Sequence, residues 1–191
     1  WRQPLAQINS AILLTEAILE NSKFEKEKVT MKLFEGESLT NYMSKTINDF
    51  QEFVNPKKVK EAFFLHEAIE ESLFLIKGSI ASNYIDLTTN LDRTLVCDSY
   101  KNELKQVLVI LINNARDILI ERETQNPKIF INTQRNDTYN IIEVIDNAGG
   151  IDSNIIEKIF DPYFTTKHKT QGAGLGLYMA TMILKNGFNA Q

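Results

Sequence analysis

The chain has 191 residues, with 21 Lys and Arg against 25 Asp and Glu, a formal net charge of −4 and 43% hydrophobic residues, which describes one or two globular domains. Interspersed charges and a pI near 5.3 give no extended basic face, so nucleic acid is not an expected partner. The longest unbroken apolar run, residues 107–112, is far below the roughly 20 residues that cross a bilayer, so no membrane span is expected in this chain.

Cys97 is the one cysteine, which excludes an internal disulfide, and no Cys/His spacing suits zinc. A reducing compartment is the simpler expectation. The chain opens Trp1-Arg2-Gln3-Pro4-Leu5 with no initiator Met and no secretory or transit signal, and it reads as a fragment. Pro4 is costless in a first helical turn and would kink a longer helix that continued upstream.

Leu5, Ile8, Ile12 and Leu19, with Thr15 completing the stripe, fall on a heptad seam, and Met43, Ile47, Phe50 and Val54 form a second. The Glu/Lys-rich residues 23–32 lie between them, so an antiparallel helical hairpin is predicted. Leu13, Leu14 and Ile18 flank the first seam, and Leu39, Tyr42 and Phe53 the second, which is more apolar surface than one partner covers. Pairing two hairpins into a four-helix bundle buries the excess, so a homodimer is expected. Packing of both helices on the rest of the same chain is the alternative. Asn55-Pro56-Lys57-Lys58 ends the second helix, and the domain boundary is placed there, giving domains 1–56 and 57–191.

Beyond the boundary, Phe63-Phe64-Leu65 reads as a short strand, followed by a helix with the buried stripe Ile69, Leu73, Ile76 and Ile80. A strand at 84–88 and an edge segment at 94–96 come next. Asp98 or Ser99 is predicted to cap a long helix reaching about Glu123, with Leu104, Leu108, Leu111, Ala115 and Ile118 inward. Residues 128–134 and 139–146 alternate with period two around Arg135-Asn136-Asp137-Thr138 and predict an antiparallel hairpin. Asp152 or Ser153 is read as the cap of a short helix to Ile159, a loop covers 160–171, and a last helix spans about 174–185. The fold class is α+β: the helical hairpin followed by an α/β sandwich with helices on one face of a mixed sheet.

Glycines concentrate late, at Gly149, Gly150, Gly172, Gly174 and Gly176. Glycine lets backbone approach a ligand and a helix N-terminus offers free N–H groups, so Gly172-Ala173-Gly174-Leu175-Gly176 is a candidate phosphate cradle. Asp146 alternates with Ile142 and Val144, which predicts a carboxylate facing the interior. A donor must meet it there, either an adenine amino group or a structural backbone N–H. Asn113 and Asn114 interrupt a buried helical run, so at least one needs a polar partner, for which Mg²⁺ is a candidate.

In this order, Asn113-Asn114-Ala115-Arg116-Asp117, Asp146-Asn147-Ala148-Gly149-Gly150-Ile151, Phe160-Asp161-Pro162-Tyr163-Phe164-Thr165-Thr166-Lys167 and Gly172-Ala173-Gly174-Leu175-Gly176-Leu177 resemble the N, first glycine, F and second glycine boxes of sensor histidine kinases. Trp1-Arg2-Gln3-Pro4-Leu5 resembles the tail of their phosphoacceptor box, so the resemblance covers nearly the whole chain. It implies a dimerisation and histidine-phosphotransfer hairpin joined to an ATP-binding catalytic domain. The implied enzyme is an ATP-dependent protein-histidine kinase of two-component signal transduction. It would pass the γ-phosphoryl of ATP to a histidine and then to an aspartate of a response-regulator receiver domain.

By the same resemblance Asn114 holds Mg²⁺, Asp146 accepts from the adenine amino group, and Gly150 lets the chain approach the nucleotide. Asp117 and Ile151 join the nucleotide-binding set. Residues 163–171 resemble an ATP lid, with Thr166 and Lys167 near the phosphates and Gly172, Gly174, Leu175 and Gly176 against them; Lys167 and Mg²⁺ would neutralise charge during transfer. Gln3 would sit four residues after the acceptor histidine and orient a water that dephosphorylates the partner, an exposed helical Gln being the alternative. A cytoplasmic location is implied, in a parent protein that is either membrane-anchored or free.

Three departures stand out. The acceptor histidine would lie two positions before Trp1, and neither His66, at the start of a helix, nor His168, in the lid, fits that role. Ile110 stands where such kinases usually carry another Asn and related ATPases carry a Glu base. The chain stops at Gln191, where further strands usually close the sheet. Together they leave a second reading, a catalytically impaired nucleotide-binding or dimerisation scaffold. A chaperone-like or DNA-topology ATPase fits less well, because it needs a base at Ile110.

Overall fold

The computed structural model describes residues 59–166 and 174–188, together with the separate positions Ser10, Ile12, Leu13, Val29, Thr30, Leu33, Phe34, Gly36 and Thr40. The chain divides into two compact units, residues 1–56 with 165–173, and residues 57–164 with 174–191. In the first unit those separate positions all have helical backbone, and the Thr40 hydroxyl donates to the Gly36 carbonyl four residues back at 2.9 Å. Ile12, Leu13, Leu33 and Phe34 are exposed in this single chain. The remaining seam positions, Pro4, Gln3 and the Asn55-Pro56 boundary lie outside the described residues.

The second unit runs β1 (Glu61–Phe64), α1 (Leu65–Ser82), β2 (Asp86–Asn90), β3 (Val96–Ser99), α2 (Lys101–Glu121), β4 (Lys128–Arg135), β5 (Asn140–Asp146) and α3 (Gly176–Phe188). β4 lies between a parallel β2 and an antiparallel β5, so this three-stranded sheet is mixed as expected. β1 and β3 pair antiparallel as a separate ribbon. Leu65 belongs to the helix rather than the preceding strand: its N–H donates to the Leu95 carbonyl at 2.9 Å, which satisfies one otherwise unpaired amide of the first turn.

Alternation along β4 turns Ile129, Ile131 and Thr133 inward, where the two isoleucines share one core with Ile69 of α1 and with Leu108, Ile112 and Leu119 of α2. Each such fully buried side chain contributes about 1.5–3 kcal/mol relative to exposure. The β4–β5 turn is held by Asn136, whose Oδ1 accepts from Thr138 N–H at 2.9 Å and Tyr139 N–H at 2.7 Å.

Two predicted helix starts differ. α2 begins at Lys101 after Tyr100, with no capping side chain, because the Ser99 hydroxyl instead donates to the Gly187 carbonyl at 2.7 Å. Residues 153–160 form turns rather than a helix: Ile155 N–H donates to Asp152 O, Lys158 N–H to Ile155 O, and Asp161 N–H to Lys158 O, each reaching back three residues. The Asp152 carboxylate accepts from Asn154 N–H at 2.8 Å, a local bond that competes with helix propagation.

Candidate functional site

α2 is the element around which the candidate residues gather. Asn113 and Asn114 are both half-buried. Asn113 Oδ1 accepts from Arg116 Nη1 at 2.8 Å, and the same guanidinium donates to Ser79 Oγ at 2.7 Å and to the Asp117 carboxylate. Asp117 is therefore engaged by its neighbour, and Arg116 ties α2 to α1. The Asn114 side chain makes no hydrogen bond among the described residues, so of the two amides it is Asn114 that has its carboxamide available for a ligand.

Asp146 ends β5 opposite Ile129, so it shares the inward face with Val144 and Ile142 as expected, but it is exposed, which corrects the expectation that its carboxylate is buried in the apolar interior. Ile142 and Val144 on the same strand do pack against the core, but the strand terminates at Asp146, where the cover runs out. Asp146 Oδ1 accepts from Ala148 N–H at 2.9 Å, the structural bond that was the alternative to an adenine donor. Its exposure leaves the carboxylate able to meet an adenine amino group as well.

The loop after Asp146 is pinned from two further sides. Asn147 Oδ1 accepts from Lys128 N–H at 2.7 Å and Asn147 Nδ2 donates to the Asn126 carbonyl at 3.0 Å. Arg122, the residue ending α2, donates through Nη1 to the carbonyls of Ala148 at 2.5 Å and Gly150 at 3.0 Å. Gly149 and Gly150 both take left-handed backbone, φ 94° and 79°. A Cβ at Gly150 would meet nothing within 4 Å, so open space faces this glycine. Ile151 beside it is exposed.

Near the middle of α2, Ile110 Cγ2 lies 3.3 Å from where a Gly176 Cβ would stand, so the start of α3 is packed close against the helix at that level. Met179 N–H donates to Leu175 O at 2.9 Å, which leaves the amides of the preceding turn at a free helix N-terminus. Gly174 has φ 65°, and a Cβ there would fall 2.4 Å from the Phe164 carbonyl oxygen, while its own carbonyl accepts from Tyr163 N–H at 2.9 Å. Gly174 thus serves a backbone clasp between the two stems of the segment read as a lid. Thr166 is exposed, and Lys167 and Gly172 lie outside the described residues.

Along α2 the order is Ile110 with the α3 N-terminus, then Asn114, then Arg122 with the glycine loop. Asn114 and Arg122 are eight positions apart, about 12 Å of helical rise, a length on the scale of an extended nucleoside polyphosphate. Glu71 bridges Lys101 and Lys105, both at 2.8 Å, and these two lysines hold its carboxyl below the ordinary value. Burial, and then Asp98, push the Cys97 thiol up. Among the described residues no group of three or more His, Cys, Asp or Glu side chains forms a metal cluster, and no helix is long and apolar enough to cross a membrane. Sequence reasoning missed Arg122 and Asn147, because one arginine and one asparagine without periodic context carry no pattern.

The histidine kinase-, DNA gyrase B-, and HSP90-like ATPase family matches residues 100–190. The signal transduction histidine-protein kinase AtoS of Escherichia coli K12 is 31% identical over 186 residues, 96% of this chain and 29% of AtoS. Sporulation kinase D of Bacillus subtilis 168 is 26% identical over 186 residues, 96% of this chain and 35% of the kinase. The chain thus spans about a third of the length of these two relatives. Among solved structures, the catalytic domain of histidine kinase ThkA is 34% identical with a TM-score of 0.57, covering 67% of this chain and 81% of that one. ThkA in complex with the response regulator TrrA is 26% identical with a TM-score of 0.61, covering 86% of this chain and 48% of that one. With a third of the aligned residues identical over four fifths of a solved kinase catalytic domain, the chain belongs to the sensor histidine kinases and carries their ATPase domain.

Proposed function

We propose that residues 57–191 bind ATP and residues 1–56 form the dimerisation and phosphotransfer hairpin of a two-component sensor histidine kinase. The enzyme moves the γ-phosphoryl of ATP to a histidine and on to an aspartate of a response-regulator receiver domain. It works as a homodimer on the cytoplasmic side. The observation that carries this reading is the order along α2: an available Asn114 carboxamide lies between a pinned glycine loop and the N-terminus of α3.

In this reading Asp146 and Gly150 take the adenine end, with Ile151 and Asp117 beside it. Asn114 presents its carboxamide oxygen to Mg²⁺, and Gly174, Leu175 and Gly176 offer backbone N–H groups to the phosphates. A single neutral oxygen, with no group of three or more His, Cys, Asp or Glu side chains among the described residues, suits Mg²⁺, which takes few protein ligands and the rest from phosphate and water. When bound, Mg²⁺ neutralises charge on the transferring phosphates. Thr166, Lys167 and Gly172 complete the phosphate contacts, and Gln3 positions a water for dephosphorylation. Support for the partner comes from ThkA, which has been solved with a response regulator.

Calorimetry with ADP, with and without Mg²⁺, tests the site. Binding that Mg²⁺ strengthens in the wild type and not in Asn114→Ala is expected; no heat with any adenine nucleotide would refute the reading. The transfer step is tested on a chain extended upstream to place a histidine two residues before Trp1. With radiolabelled ATP it should acquire acid-labile label, and persistent failure while ATP still binds would favour the scaffold reading, which Ile110 motivates.

A further inference from the structure

We infer that Arg122 is a positioning residue for nucleotide binding, acting through the glycine loop rather than by touching the nucleotide; the inference rests on the nucleotide reading above. One guanidinium nitrogen, Nη1, donates to the carbonyls of Ala148 and Gly150, two residues apart. Bringing both carbonyls to one donor requires the curled backbone that the left-handed Gly149 and Gly150 supply. Glycines are also the residues that lose most freedom when fixed, so without an external tie this pair would sample many conformations.

Arg122 is itself firmly placed. Its N–H donates to the Ile118 carbonyl at 3.0 Å, and the next residue, Glu123, reverses the chain with φ 48° while Thr124 N–H returns to Leu119 O at 3.0 Å. This is the 6→1 closure of a helix end. The last turn of α2, which also carries Asn114 two turns upstream, is thereby fixed to the loop that follows Asp146. Arg122 sets the spacing between the adenine end and the metal end of the site. A charged donor suits the task, because hydrogen bonds from ionised groups are stronger than neutral ones. The Arg122 Nη1 atom stands 3.5 Å from where a Gly149 Cβ would be, on the carbonyl side of the loop.

The test compares ADP affinity of the whole 191-residue chain as wild type, Arg122→Ala and Arg122→Lys, well below the unfolding temperature. Arg122→Ala should weaken ADP binding about tenfold, and Arg122→Lys, which keeps one donor, should recover part of the loss. The ratio of affinities should stay constant between about 0.05 and 0.5 M NaCl, because a guanidinium acting through backbone is not screened as a direct phosphate contact would be. Affinity within about twofold of wild type in both variants, or a defect that shrinks as salt rises, overturns the inference. If Arg122→Ala does not fold, Arg122→Gln carries the same comparison, since it retains most of the stem and one amide donor. Absence of ADP binding by the wild type refutes the nucleotide reading itself, whereas normal wild-type binding with unaffected variants refutes only the role of Arg122.

Discussion

Replacing Gly174 by Ala tests the clasp at the start of the second glycine box. Two costs act together. An alanine held at φ 65° pays about 1–2 kcal/mol for the left-handed backbone. Its Cβ would also fall 2.4 Å from Phe164 O and 2.5 Å from the Tyr163 carbonyl carbon, both backbone atoms that cannot swing aside as a side-chain tip would. Relief requires the stems to part, which breaks the Tyr163 N–H to Gly174 O bond, worth about 1 kcal/mol. The sum is about 2–3 kcal/mol, and the clasp can relieve most of it by opening locally. At roughly 2–4 °C per kcal/mol, Gly174→Ala should lower Tm by up to about 10 °C, with less if opening is purely local. In either case hydrogen exchange at the Tyr163 amide should accelerate. Gly150→Ala is the comparison, since its φ of 79° costs backbone energy but its Cβ meets nothing within 4 Å. If Gly174→Ala and Gly150→Ala lose the same stability and Tyr163 stays protected, the steric argument is wrong.

Gly78 lies inside α1 with nothing within 4 Å of a prospective Cβ, so Gly78→Ala should stabilise the unit by about 0.5–1 kcal/mol in urea unfolding; destabilisation would contradict the open environment. The Glu71 carboxyl is held low by Lys101 and then Lys105, so its contribution is present above the ordinary glutamate value of 4.5 and is lost as pH falls through the depressed value. Glu71→Gln should therefore cost a fraction of about 1 kcal/mol at neutral pH, screening having reduced an exposed pair, and nothing in strong acid. A stability difference that persists unchanged in acid would disprove the linkage. Burial raises the Cys97 thiol, so alkylation near neutral pH should be slow in the folded chain and fast in urea. Equal rates in the two conditions would count against the half-buried placement.

Legibility in the sequence followed the strength of periodic signal. The period-two runs either side of Arg135-Asn136-Asp137-Thr138 became β4 and β5 in antiparallel register, and the apolar stripe of residues 104–118 became α2. Helix starts were less legible because Ser99 has two places to send its hydroxyl, and only the folded chain brings Gly187 within reach. The face of Asp146 was legible but its exposure was not, for a related reason. Alternation tells which face a residue occupies but not where along the strand the covering helix stops. The tie from Arg122 to the glycine loop joins positions 26 and 28 residues apart, a relation no local pattern encodes.

The Ser99–Gly187 hydrogen bond closes a span of 88 residues. Closing a loop of that length costs about 2 kcal/mol more in chain entropy than closing one of about ten residues, so docking of α3 is expected late in assembly, after the local contacts of the β4–β5 hairpin. A ligand that needs both α2 and α3 would then bind only the finished arrangement and, by mass action, pull the last helix into place.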